Sequence, residues 1–309
     1  MGRIDSSAAE CRDCGAKASA SRRATGLAAA VVAAVSYGTN PLWARWLYAD
    51  GIGIHTMLIG RFLIAALVLG IFCHLSGHPP RIAKRDAPVL ATLGTLFCAS
   101  ALGLFGSFRH MDSGIACTLL FVYPVMVAIM MAAATRERAG WRTWAALAFA
   151  LPGVALLTRA GGGTAFSWAG FWLVMLSSAT YAVYMVIANV SRAGRLPATT
   201  LSFWSFAFCA LATAAHAALV GDSPSLPGST ASWLSLVGLA VVPTIGSLVA
   251  MAIAISRIGP TPTALLGSLE PVTAVALGVA VFGEPFTPRY ALGIAFILAA
   301  VAGVAMRRR

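Results

Sequence analysis

The sequence predicts an all-α integral membrane fold in which ten transmembrane helices form two inverted-topology five-helix repeats. Three observations predict it. The 309-residue chain is 59% hydrophobic and only 10% charged, with a mean hydropathy of +0.83, whereas soluble domains carry about 25% charged residues. Its Lys and Arg residues alternate between dense and sparse from one inter-span segment to the next. Its two halves also match each other at a nearly constant offset.

Residues 1–25 are polar, rich in Ser and Ala and hold five basic residues, and they read as a disordered cytoplasmic tail. Arg22-Arg23 ahead of an apolar run resembles a twin-arginine export signal. The apolar run that follows is long enough to remain in the membrane, and nine more come after it. Cys11 and Cys14 form a C-x-x-C pair in this tail, but two ligands do not complete a tetrahedral metal site and no second pair follows. Cys73, Cys98, Cys117 and Cys209 fall in apolar spans, where free cysteine behaves as a small hydrophobe.

Ten apolar spans follow, at 26–47, 54–75, 87–108, 114–134, 141–158, 167–189, 199–219, 233–255, 261–282 and 288–306. Each has roughly the length that crosses a hydrocarbon core of about 30 Å at 1.5 Å per residue. Turn residues separate them, among them Gly77-His78-Pro79-Pro80, Gly161-Gly162-Gly163 and Asp222-Ser223-Pro224. The first repeat is 26–158 and the second 167–306.

With the N-terminus placed inside, 17 of the 22 Lys and Arg residues fall on inner segments. Four (Arg45, Arg109, Arg159 and Arg289) fall on outer ones, and Arg61 lies within a span. This is a strong positive-inside pattern, and it agrees with an even span count. Both termini are expected in the cytoplasm, and the short tails and loops suit a bacterial inner membrane. The net charge of +12 therefore reads as topology and not as a nucleic-acid footprint.

At an offset of 147, Pro124-Val125 falls on Pro271-Val272, Glu137 on Glu284, Arg142 on Arg289 and Phe149 on Phe296. At 144, Gly26 falls on Gly170, Tyr37 on Tyr181 and Thr56 on Thr200. Five spans is an odd number, so the second copy enters the membrane from the opposite side. Many secondary transporters share that architecture, with the substrate site at the midplane between the halves.

The central pattern is Leu269-Glu270-Pro271-Val272 in mid-span, then Phe282-Gly283-Glu284-Pro285, then a final span over 291–303. A worn copy, Tyr123-Pro124-Val125 followed by Arg136-Glu137-Arg138, stands in the first half, without the Gly that precedes Glu284 in the second. The pattern resembles the EamA family of the drug/metabolite transporter superfamily over nearly the whole chain. The resemblance implies a ten-helix carrier that exports or exchanges small metabolites, often amino acids, through a central cavity.

Of ten acidic residues, only Glu270 lies mid-span. A carboxylate at that depth costs roughly 2.5–3.5 kcal/mol on insertion scales unless it faces protein or water. It reads either as a cavity acid, open to proton coupling, or as a packing acid bonded to a neighbouring hydroxyl. Tyr123 takes the equivalent place in span four. Tyr37 and Asn40, and likewise Tyr181 and Tyr184, are three apart and share a helix face. These six residues are the candidate cavity lining, with interhelical packing as the alternative role for the tyrosines. Pro41, Pro124 and Pro271 are candidate helix breaks or gates, and Pro152 and Pro243 are expected to kink spans five and eight. Arg61 has three open roles: snorkelling to the outer face, pairing with an acid such as Glu270, or binding a substrate carboxylate. Glu137 and Glu284 read as caps of the helices that follow them.

No catalytic, nucleotide-binding or metal-ligand motif is present. The expectation is a non-enzymatic carrier with no cofactor and no metal, whose partners are a small solute and the bilayer, with self-association left open. A membrane-embedded transferase and a non-transporting sensor or assembly protein are the alternatives.

Overall fold

The computed structural model describes residues 3–134, 145, 148–149, 152–153, 156, 167–259, 263, 266–267 and 269–305, with side chains from 21 to 299. The described elements are helical: α1 (Arg3–Gly38), α2 (Asn40–Ala49), α3 (Ile54–Leu75), α4 (Ala87–Ser107), α5 (Ser113–Leu120), α6 (Tyr123–Ala134), α7 (Trp168–Val190), α8 (Ala198–Leu219), α9 (Thr230–Ala240), α10 (Ser247–Ile258), α11 (Leu269–Phe282) and α12 (Pro288–Ala305). Among the described residues, seven stretches are long and apolar enough to cross a membrane, and α11 and the start of α12 are shorter apolar helices. This is a multi-pass membrane protein. Of the expected span at 141–158, the six described residues are helical and the rest lie outside the description.

Two expectations change here. The segment read as a disordered tail is helical from Arg3 and runs without interruption into the first span. It is rich in Ala, the best helix former, and it adjoins a helix already nucleated by the membrane span. The side chains of Cys11 and Cys14 lie outside the description. The ninth span, expected as one run over 261–282, is interrupted: Thr263 and Leu266 are helical, a turn stands at Gly267, and α11 begins at Leu269.

Proline places the interruptions. Between α1 and α2 the α-helix breaks at Thr39, ahead of Asn40-Pro41. Between α5 and α6 it breaks at Phe121-Val122, ahead of Pro124. Pro271 sits in the first turn of α11. In each case the ring withholds an N–H and crowds the preceding turn. Pro243 lies in a π-helical turn, Val241–Gly246, that joins α9 to α10. The same missing donor lets the ladder widen by one residue there.

In lipid, helices associate by close van der Waals fit and interhelical hydrogen bonds. α4 packs along α7 and α8, α1 along α10, and α3 along α8. Gly103 of α4 lies so close to the Leu173 carbonyl and Ser177 of α7 that a Cβ would collide with backbone. Ser177 Oγ donates to the Ser100 carbonyl at 2.7 Å across the same seam. Apolar rows such as Leu63, Leu67 and Ile71 are 47–63% exposed. Their spacing puts them on one helix face, as expected for a lipid-facing stripe.

The ends of α2, α4, α8 and α11 meet at one end of the bundle, called here the Asp50 end. Polar contacts concentrate there. Ser232 Oγ donates to Asp50 at 2.8 Å. His55 Nδ1 lies 2.5 Å from Asp222 Oδ2, and its Nε2 lies 2.9 Å from His216 Nδ1. At the opposite end, Trp204 Nε1 donates to the Pro80 carbonyl at 2.8 Å.

Candidate solute cavity

The breaks in the helices surround one interior cavity of about 240 Å³. Its wall is built by α1, α3, α4, α5, α6, α7, α8, the π-helical turn, α10 and the start of α11. The volume lies just below the roughly 300–1,000 Å³ of drug-sized ligand pockets. It suits a compact metabolite.

Tyr37, Tyr123, Tyr181, Tyr184, Glu270 and Arg61 all line this cavity. The tyrosines come together from three helices. Tyr181 and Tyr184 stack with centroids 5.8 Å apart at 6°, and the edge of Tyr123 meets Tyr181 at 4.9 Å and 77°. These are the offset and edge-to-face geometries that aromatic quadrupoles favour. Phe97 extends the wall, 5.4 Å from Tyr184, 5.4 Å from Phe62 and 6.0 Å from Phe206. Tyr184 reaches Ser205 only by a long 3.5 Å contact.

Asn40 lies elsewhere. It is 2% exposed and does not line the cavity; its Nδ2 donates to the Tyr37 carbonyl at 2.7 Å. Residues 37 and 40 share a face only while the helix is regular, and the chain breaks at Thr39 between them. The amide instead binds a carbonyl that the break frees. Its Oδ1 is buried with no hydrogen-bond partner.

Arg61 does not snorkel. It is 3% exposed, and its Nε donates to Thr244 Oγ1 at 2.8 Å. Thr244 Oγ1 in turn donates to the Leu239 carbonyl at 3.0 Å, a bond permitted by the π-helical turn. The Phe62 and Phe105 rings each lie 5.2 Å from the guanidinium carbon. Among the described residues, no ion pair within 4 Å joins Arg61 to an acid. Glu270 stands in the first turn of α11, where the helix dipole favours its charge. Part of its surface faces the cavity. No hydrogen bond to its carboxylate is formed by the described residues.

Glu284 corrects the capping expectation. It closes the start of α5, far away in sequence, and not the helix that follows it. Its carboxylate accepts from Ser113 N at 2.9 Å, Ser113 Oγ at 2.7 Å, Gly114 N at 3.2 Å and Arg45 Nη1 at 2.7 Å. Gly283, at φ +65°, makes the reversal that turns Glu284 back over α11. Neighbouring Asp112 is pushed up to about 6, by burial and then by the Glu284 charge, with Arg45 acting in the opposite direction. Glu137 lies outside the described residues.

Sequence reasoning missed Phe62, Phe97 and Phe206, because an apolar ring in an apolar span carries no signal of which way it faces. It also missed Ser100, Ser202, Thr244 and Ser247 of the wall. Mid-span hydroxyls were the available signal for these, though most such groups bond only to their own helix.

Comparisons with known proteins bear on the family. The chain is 28% identical over 282 residues to an uncharacterized transporter of Archaeoglobus fulgidus, covering 89% of this chain and 94% of that one. It is 26% identical to a probable terminal-alkyne amino-acid exporter of Streptantibioticus cattleyicolor, covering 74% and 84%. A solved structure described only as a protein crystal structure shares the fold, with a TM-score of 0.61 at 20% identity over 91% of this chain. The model of the EamA-like transporter family matches twice, at residues 24–159 and 168–306. The chain belongs to the EamA-like transporter family and is a non-enzymatic membrane transporter.

Proposed function

We propose that the protein is a secondary carrier that exports or exchanges small metabolites, amino acids among them, by alternating access around the central cavity. The observation that carries this reading is the cavity itself: a half-buried carboxyl group, a buried guanidinium and a cluster of tyrosines face one interior volume where ten elements meet. Tyr37, Tyr123, Tyr181, Tyr184 and Glu270 contact the solute. Pro41, Pro124 and Pro271 mark the helix breaks about which the halves rearrange.

The ten spans form two five-helix repeats of opposite insertion, with both termini cytoplasmic in a bacterial inner membrane. Three observations support this. The family model matches each half once. The packing is reciprocal: α4 on α7 is mirrored by α10 on α1, and α6 on α7 by α11 on α1. Phe149 and Phe296, equivalent in the two halves, meet with centroids 6.0 Å apart, as residues beside a two-fold axis do. The direction of export follows the Streptantibioticus relative, a probable exporter.

The test is counterflow of labelled amino acids in proteoliposomes. Saturable exchange that falls roughly tenfold or more in Glu270→Gln or Tyr181→Ala supports the site. Saturable exchange with unchanged kinetics in both variants removes the cavity from the transport path.

A further inference from the structure

We infer that Arg61 is the carboxylate anchor of the transported solute, which makes the solute class a zwitterion read at its two ends by Arg61 and Glu270. The inference rests on the cavity being the transport site.

A guanidinium keeps its charge in proteins and offers five N–H donors in a planar fork. At 3% exposure inside a membrane protein, that charge is costly without an anion. Nε is committed to Thr244 Oγ1 at 2.8 Å, which fixes the guanidinium from one side. The rings of Phe62 and Phe105 flank it at 5.2 Å, and the Tyr37 hydroxyl of α1 lies within hydrogen-bonding reach of it. Among the described residues no carboxylate pairs with the two Nη groups, whose fork is the geometry that takes a carboxylate through two parallel hydrogen bonds.

Glu270 is the acid available in the same cavity, and it stays beyond ion-pair distance. The contrast with Arg45 is instructive. Arg45 is a third exposed, yet it holds Glu284 at 2.7 Å. The more deeply buried Arg61 holds no described carboxylate. An acid and a guanidinium that face one volume of about 240 Å³ with no described ion pair between them are both open to a ligand. A solute with a carboxylate and an ammonium group satisfies both and enters with no net charge. An anion alone leaves Glu270 unpaired, and an amine alone leaves Arg61 unpaired.

The experiment uses the full-length protein in proteoliposomes with three matched probes: leucine, isoamylamine (its carboxylate removed) and isocaproate (its ammonium removed). Wild type is loaded with labelled leucine, and each probe competes from outside. Leucine is expected to compete roughly tenfold or more better than either partial probe. In Arg61→Gln and Arg61→Lys, leucine is expected to weaken toward isoamylamine, whose own competition stays unchanged. In Glu270→Gln, leucine weakens toward isocaproate instead. The readout is a ratio between probes, so a general loss of folded protein does not move it. Arg61 variants that keep the wild-type preference for leucine over isoamylamine overturn the inference while leaving the carrier reading intact. Wild type that exchanges no amino acid overturns both.

Discussion

The two ends of α11 carry the same dipeptide, Glu-Pro, in opposite circumstances. Glu284-Pro285 follows the C-terminal end, and the Glu284 carboxylate is saturated by two backbone N–H groups, a hydroxyl and a guanidinium. Glu270-Pro271 opens the N-terminal end, and its carboxylate takes no hydrogen bond from the described residues while facing the cavity. Both are acids inside a membrane protein, where every polar group must find a partner. The saturated acid ties α2, α5 and α11 together at the Asp50 end. On the proposed reading, Glu270 keeps its bonding capacity for the solute. Burial alone therefore does not separate the two acids; the hydrogen bonds that the described residues supply do.

Substitutions at four positions test this contrast. Glu284→Ala is expected to cost on the order of 3 kcal/mol of stability, because it strips the start of α5 of its cap and leaves Arg45 unpaired. Thermal unfolding in detergent measures it, and a loss no larger than that of Glu270→Ala would erase the distinction. Glu270→Gln is expected to change stability by less than about 1 kcal/mol while transport collapses. A carboxylate that was secretly structural would show the reverse.

Tyr181→Ala is expected to raise the half-saturating solute concentration by up to roughly tenfold, from the loss of aromatic contacts each worth about 0.5–1.5 kcal/mol. Tyr181→Phe keeps the stacked and edge-to-face rings and should change little. Equal losses in both would assign the effect to the hydroxyl.

The smallest effect concerns Asp112, beside Glu284. Its carboxyl is raised to about 6 in the folded protein, above the ordinary value near 4. Ionising it in the folded state therefore lowers stability. The penalty is absent below about pH 4, grows through pH 6 and is complete above it. Asp112→Asn is expected to raise the melting temperature at pH 7 and to lose that advantage as the pH falls to 4. An advantage of constant size across that range would mean that the carboxyl is not perturbed.

Much of the wall was legible in the chain because it consisted of residues costly to place in a membrane. Glu270, Arg61 and the mid-span tyrosines stand out against apolar neighbours, and repeat matching placed Tyr123 opposite Glu270. Asn40 was misjudged because a regular helix was assumed across Thr39. The break turned the amide onto the Tyr37 carbonyl. Glu284 was assigned to the helix next to it because capping is usually local. Here the capped helix begins 171 residues away, with the bond to Ser113.

By itself the sequence determined the solvent, the class of fold and the list of polar residues that must be hidden from lipid. Those follow from transfer free energies, which belong to each residue wherever the chain takes it. Only the tertiary structure decided which hidden group finds its partners among the described residues and which does not. Partner choice depends on distances between helices remote in the chain, and neither composition nor periodicity encodes them. The same two-residue motif therefore became a clamp at one end of α11 and an open acceptor at the other.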